Sequence, residues 1–363
     1  MDNKVWPSNP STIICSRAVA QLGRAPVWGT GGRGFKSRRP DYTMTDASPP
    51  PDLARWSLHC FCLGARSTPH RIIRLDDNGE LLHSAVGGTR IEDLVSTGLE
   101  VTESQLWLLD AYGLIERDGD HVETAFPVLG PEAVAVVRGA AEQAAAKALP
   151  RVGDEASRLV EELGSLDLAG HGFALIFGHA LDGVLWDLLG ERGGIPNVTL
   201  DLANPFWNGA FWALYPGRRG SAGTNELVGQ GAVLVMVWDD DSADALRSLA
   251  SNPEIEAGLF SVDRRTSRHL IPRLGPVPIV EVGGVLDKIS RVLAREVVDV
   301  IPGPDGSMAL LEQAGVAARG EEATVIVAHE VIWSMTELLR DSGVVTPPTD
   351  AGIEGRLFVR IEG

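Results

Sequence analysis

The chain has 363 residues, 44 % of them hydrophobic, with 32 lysines and arginines against 49 aspartates and glutamates and a formal charge of −17. A chain this acidic repels polyanions, which argues against nonspecific adhesion to nucleic acid or to an anionic membrane surface. The length suits about two domains, and no stretch reads as the ~20 consecutive apolar residues of a bilayer span.

The first forty-three residues differ in texture from the rest. "AVAQLGRAPVWGTGGRGFKSRRPDY" (18–42) is basic and glycine-rich, and has neither the 3.6 nor the 2 period of an amphipathic element. Its codons are more orderly than its side chains. Gly34–Ser37 permits a T-loop string, Val19–Ala25 a D-arm, and Pro26–Thr30 a stem and loop with GGG at the anticodon position. The stretch resembles an in-frame translation of a transfer RNA gene. That resemblance implies that 1–43 is a disordered extension upstream of a native start at Met44. The extension holds seven basic and two acidic residues, so 44–363 carries 25 against 47, a charge of −22. Cys60 and Cys62 then remain. With His59 they fall short of four zinc ligands and read as two thiols on a strand in a reducing, cytoplasmic compartment.

In chain order, 44–55 is proline-rich and reads as disordered. Residues 56–63 and 70–75 suggest a hairpin turned by "DDNGE" (76–80). "TRIEDLVSTG" (89–98) reads as a helix with Thr89 as N-cap and Gly98 as its stop. "TESQLWLLDAYG" (102–113) reads as a second helix, from Thr102 to Gly113, with Leu106, Leu109 and Tyr112 on one face and Trp107 alongside. "LIERDGDHVETAF" (114–126) reads as strand, Asp-Gly turn, strand.

This order of helix, turn, helix and short hairpin, carried by "TESQLWLLDAYGLIERDGDHVETAFPVL", resembles the winged helix-turn-helix of bacterial regulators over about residues 86–128. The resemblance implies a second helix that either reads DNA or docks a partner protein. A DNA-reading helix presents Arg, Lys, Asn or Gln to base edges among phosphate contacts. From Val101 to Glu116 there is no Lys or Arg; Glu103 and Gln105 stand on the helix and only Arg90 and Arg117 flank it. These four are the candidate DNA or docking residues.

Residues 131–165 read as one long alanine-rich helix interrupted at Pro150 and followed by a second, serving as a linker or a homodimer seam. "GFALIFGHALDGVLWDLLGERGG" (172–194) is apolar nearly all round and should be buried. "NPFWNGAFWALYP" (204–216) alternates as a strand, "GAVLVMVWDDDS" (231–242) is a buried strand, "PVPIVEVGG" (276–284) is extended, helices follow near 285–300, 307–315 and 322–342, and "GRLFVRIEG" (355–363) closes as a strand. Strands and helices mix without a βαβ rhythm, so the fold class is α+β, with a winged-helix-like domain at 56–130 and a mixed α/β domain at 166–363.

Two helices echo each other. "FGHALDGVLWDLL" and "VAHEVIWSMTELL" each place a histidine on an apolar helix with an acid and a tryptophan beyond it. His179, Asp182, His329 and Glu330 are therefore the catalytic candidates, as halves of an acid/base pair, although hydrogen-bonded core histidines fit the same pattern. "HEVIW" lacks the second histidine of a zincin face, so no metal site is indicated. Trp207, Asn208, Trp212 and Tyr215, with Arg218 and Arg219 beyond them, make an aromatic and polar set suited to a small-molecule ligand, an anionic one at the two arginines. No nucleophile elbow, Walker loop or dinucleotide motif lies in 44–363, and no cofactor is indicated. The sequence reads as a regulator-like protein in which a winged-helix-like domain acts on DNA or a protein and is coupled to a sensing or binding domain. An enzyme using the histidine–carboxylate cluster, and a ligand-free interaction module, are the alternatives.

Overall fold

The computed structural model describes residues 19–21, 48–65, 67–196, 200, 206–218, 222–228, 232–239, 242–250, 252, 254–255, 262, 268–271, 275–346 and 353–361. Of the N-terminal extension this includes one short strand, β1 (Val19–Gln21), antiparallel to β2 (Ser57–Ala65). The rest of 1–43 lies outside the described residues. In place of the expected hairpin partner at 70–75 stand two helices, α1 (His70–Ile73) and α2 (Asn78–Ser84). "DDNGE" opens a helix because the Asn78 side chain donates to the Ile72 carbonyl at 2.7 Å, tying the two helices together. The segment 44–55, read as disordered, contributes a buried Leu53 and an Asp52 that caps a short 3₁₀ turn.

Next come β3 (Thr89–Arg90), α3 (Ile91–Ser96), α4 (Glu103–Ala111), β4 (Ile115–Asp118) and β5 (His121–Thr124). Thr89 is not the N-cap of α3: it pairs with Val122 in a sheet of order β3-β5-β4, and Arg90 takes the cap position. Helix α4 begins as expected. Thr102 Oγ1 accepts from the Gln105 N–H and Gln105 Oε1 accepts from the Thr102 N–H, a reciprocal capping box. Leu94, Leu106, Leu109, Leu114, Ile115 and Val122 close a small core.

Beyond it lie β6 (Val128–Leu129), α5 (Pro131–Ser165), a π-helix Ala174–Val184 continued by α6 (Leu185–Glu191), β7 (Trp207–Leu214), β8 (Ala222–Val228) and β9 (Val233–Asp239). Then follow α7 (Ala243–Ala250), β10 (Arg268–Ile271), β11 (Gly275–Glu281), α8 (Val285–Val298), α9 (Pro304–Gln313), α10 (Gly320–Asp341) and β12 (Leu357–Ile361). The fold is α+β, in layers. One sheet, β1-β2-β7-β6, separates the N-terminal core from the helices, and a second, β10-β11-β12-β9-β8, covers the helices' other side.

Alternation along β2 and β7 assigns their two faces. Leu58, Cys60, Cys62, Phe211 and Ala213 join the N-terminal core, while Phe61, Ala210, Trp212 and Leu214 join the helical layer. Cys60 and Cys62 are both buried and in no disulfide. In the second sheet Val235, Val237, Val280 and Phe358 face the helices, and Leu234, Met236, Val277 and Ile279 face away.

Helix α5 is continuous over 35 residues, without the expected break at Pro150. A proline inside a helix forfeits a hydrogen bond and crowds the preceding turn. Here Ala141, Ala145, Ala148, Val152 and Ala156 lie fully buried on either side of it, and α5 packs on α8 and α10, which holds the helix together. The stripe expected of a dimer seam is thus used within the chain. The segment Ala169–Glu191 is long and apolar enough to cross a membrane, a length the sequence reading had not allowed, yet 89 % of its apolar window is buried inside the protein. It comes close to the second sheet: a Cβ on Gly178 would stand 2.4 Å from Val237 Cγ2.

The β2–β7 register shifts between Phe61 and Gly64, opposite Gly209. Gly209 has φ +118°, and a Cβ there would meet the Phe61 carbonyl oxygen at 2.0 Å. Replacing Gly209 with Ala is expected to destabilise the chain by about 2–4 kcal/mol in urea denaturation, from backbone strain and the lost register together.

Candidate functional site

The buried face of α4 leaves Glu103, Ser104, Trp107 and Asp110 pointing outward, and Trp107 is 74 % exposed. The flanking cations are taken. Arg117 grips Glu103 with two hydrogen bonds, of 2.8 and 2.9 Å, and Arg90 reaches Asp120 at 2.6 Å and Glu92 at 3.1 Å. The Arg117 hydrogen bond draws the Glu103 carboxyl below its ordinary range, and the Arg90 hydrogen bond does the same to Asp120. Gln105 serves the capping box. All four sequence candidates for docking are therefore engaged inside the unit. Residues 86–128 hold nine acids against these two arginines. The surface offered around α4 is acidic and aromatic, the reverse of a phosphate-binding one.

Beside it opens a cleft of about 640 Å³, walled by the end of α4, by β4 and β5, by the start of β7, and by residues 317–322 at the head of α10. Tyr112 and Phe206 stack in its wall at 4.4 Å, and the Trp207 indole donates to the Tyr112 carbonyl at 2.8 Å. Asp110, Glu116 and Glu123 line it, and among the described residues none of them closes an ion pair. The cation at the cleft is Arg319, which pairs with Glu322.

The six aromatic and arginine candidates divide among several places. Trp207 and Asn208 line the cleft. Trp212 is fully buried in the helical layer, stacked on His59 at 5.1 Å. Tyr215 leans on Trp56. Arg219 lies outside the described residues. The Arg218 side chain is 8 % exposed and each of its three nitrogens is engaged: it donates to Glu330 at 2.8 Å, Glu337 at 2.7 Å and Ser334 Oγ at 2.9 Å. An anion at Arg218 would have to displace carboxylates that already hold it.

The catalytic candidates do not converge. His179 Nε2 meets Asp287 Oδ1 at 3.1 Å. Asp182 accepts from Trp186 Nε1 at 3.2 Å and Thr224 Oγ1 at 2.8 Å. His329 Nε2 accepts from Trp333 Nε1 at 2.8 Å. Glu330 holds Arg138 and Arg218. No two of the four share a hydrogen-bond partner, and all four are buried. General acid–base chemistry requires reach to a substrate proton, and each of the four is 4 % exposed or less. Among the described residues no group of three or more His, Cys, Asp or Glu is placed to hold a metal ion.

Burial pushes these groups toward their neutral forms. His59 falls to about 3, through burial first and then the charges of His70 and Arg138. Burial also lowers His179, against its bond to the Asp287 carboxylate, and drives His329 well below its ordinary value, with help from His59, Arg218 and Arg138. Asp182 rises to about 7 by burial, despite its bonds from Thr224 and Trp186.

Comparison with protein families, with curated proteins and with solved structures gives no match. The sequence reading passed over Glu116, Glu123, Arg319 and Glu322. The available signal was the run of acids through 110–123, which it took only as a lack of phosphate contacts.

The lowered histidines, His59, His179 and His329 with His83 and His171, are neutral in the fold at pH 7, whereas the unfolded chain protonates them below pH 6.5. Their stabilisation is complete above that pH and is lost as pH falls below it, for His59 down to about 3. Asp182 acts in the opposite sense: its contribution is complete below pH 3.8 and is lost as pH rises through about 7. Five lowered histidines, joined by the lowered Asp239 and Asp287, stand against one raised aspartate, so urea denaturation at pH 7, 5.5 and 4.5 is expected to show a falling midpoint, and the fall should be shallower in His329→Gln. Arg218→Met leaves the buried Glu330 with Arg138 alone and is expected to cost about 3 kcal/mol at pH 7, read from the same denaturation curves.

Proposed function

We propose that the protein is a cytoplasmic regulator-like protein whose winged-helix-like unit, residues 56–130, docks a protein partner instead of reading DNA. The element order supports the winged-helix reading. Helix α2, strand β3, helices α3 and α4 and the β4–β5 hairpin follow one another, and the first strand pairs with the last. The observation that carries the docking reading is the pairing of Arg90 and Arg117 with carboxylates beside an exposed Trp107. A helix that reads a duplex needs uncommitted cations for phosphates. An exposed aromatic ringed by polar side chains is the kind of anchor that protein interfaces use.

Coupling to the rest of the chain has a physical route. The cleft takes one wall from the N-terminal unit and another from the head of α10, so an occupant touches both. A ligand that contacts two bodies favours the arrangement in which both contacts form.

Two measurements test this reading. Fluorescence anisotropy with labelled duplexes, including DNA from upstream of its own gene, is expected to show no binding at 50 mM salt. A photocrosslinking residue placed at Trp107 in the producing cell is expected to capture a protein, whereas one at the exposed Val292 on α8 is not. Submicromolar, salt-sensitive DNA binding, or capture of nucleic acid at position 107, would overturn the proposal.

A further inference from the structure

We infer that the surface running from Trp107 over Asp110 into the cleft is the seat of an extended, arginine-bearing segment of the partner protein. The inference rests on the docking reading above and specifies the chemistry of the partner.

Charge complementarity selects a cationic occupant. Glu116 and Glu123 project from β4 and β5, and Asp110 stands one helical turn beyond Trp107 on α4. The three carboxylates are exposed, and among the described residues no arginine or lysine pairs with them. The nearby arginines of the unit are already spent on Glu103, Glu92 and Asp120. An incoming cation therefore meets carboxylates that feel Arg117 and Arg319 only at longer range and close no ion pair among the described residues.

The aromatic groups favour guanidinium over ammonium. Trp107 is open to solvent, and Phe206 and Trp207 are half-buried in or beside the cleft wall. A guanidinium is planar, weakly hydrated and stacks on aromatic faces while still giving two parallel hydrogen bonds to a carboxylate. The cleft already accommodates one such group. Arg319 lies against Glu322 in its wall, and Glu321 and Glu116 add to the field that holds it charged. A partner's arginine would find the same surroundings, in competition with Arg319.

The strand order favours an extended guest. Strand β4 is the outer strand of its sheet, and Ile115 and Glu116 of that strand line the cleft. Among the described residues no strand pairs with its outer edge. Glu116 and Glu123 are cross-strand partners on the cleft side of this sheet, and an extended segment can add to such an outer strand.

The test is fluorescence anisotropy of the full chain at 50 mM salt, with a labelled nonapeptide of alternating arginine and serine as probe and its lysine counterpart as comparison. The arginine peptide is expected to bind in the micromolar range, and several-fold more tightly than the lysine one. The triple variant Asp110→Asn, Glu116→Gln, Glu123→Gln is expected to weaken it about tenfold, and Trp107→Ala about threefold. Arg319→Gln, which removes the internal competitor, is expected to tighten it. A control triple on α5, Glu132→Gln, Glu142→Gln, Asp154→Asn, changes the net charge equally and is expected to leave binding unchanged. Circular dichroism of each variant confirms folding.

Several results would overturn the inference: no binding, equal weakening by the control triple, equal affinity for the lysine peptide, or full competition by free arginine or spermidine at peptide-like concentration. If the peptide fails while the crosslinker at Trp107 still captures a protein, the docking reading stands and the arginine preference falls. If the duplex binds instead, the docking reading itself falls.

Discussion

The pairing of Ser57–Ala65 with Trp207–Leu214 holds the molecule together across the longest sequence separation of any strand pair among the described residues. Every second residue of each strand is committed to a different core. Leu58, Cys60 and Phe211 close the N-terminal unit, while Phe61, Ala210 and Trp212 close the helical layer. Because the side-chain period of a strand is 2, a slip of one residue would exchange the two sets and ruin both cores at once. The Gly209 irregularity sits in this pairing, where only a residue without a Cβ lets the strands approach. The cleft begins at the same place, since Phe206 through Gly209 form part of its wall.

The helical layer solves a second problem, the burial of polar groups. The two echoing helices use the same device. Trp186 donates its indole N–H to Asp182, and Trp333 donates to His329, in each case four residues back. Thr224 adds a second bond to Asp182, and Arg138 and Arg218 hold the neighbouring Glu330, while His329 Nδ1 is buried without a hydrogen-bond partner among the described residues. The π-helical winding of Ala174–Val184 spans both His179 and Asp182. A buried polar group without partners is costly, and these bonds reduce that cost for Asp182 and Glu330.

Elements with purely local instructions were legible in the sequence. Helix α4 was, because Thr102, Gln105 and the Leu106–Leu109–Tyr112 spacing all act within one element. The burial of the 172–194 helix and the alternation of β7 were legible for the same reason. What depended on distant partners was not. Helix α1 was mistaken for the second strand of a hairpin, and the start of α2 for a turn, because a short apolar run fits either state, and the true partner of β2 lies beyond residue 206. Pro150 was read as a break because sequence gives the local penalty but not the buried contacts that offset it. The histidines were singled out correctly as unusual, yet their partners, such as Asp287 at 108 residues from His179, carry no local signature. The cleft was the least legible feature, since its walls come from three separate stretches of chain.

Cys60 and Cys62 project from β2 into the small core between that strand and the N-terminal unit, and both are sealed from solvent. A thiol reagent can reach them only from states in which the unit has lifted off its sheet. The rate at which the two sulfurs are alkylated is therefore a clock for that lifting. An occupant that bridges the two walls of the neighbouring cleft would slow the clock without touching either sulfur.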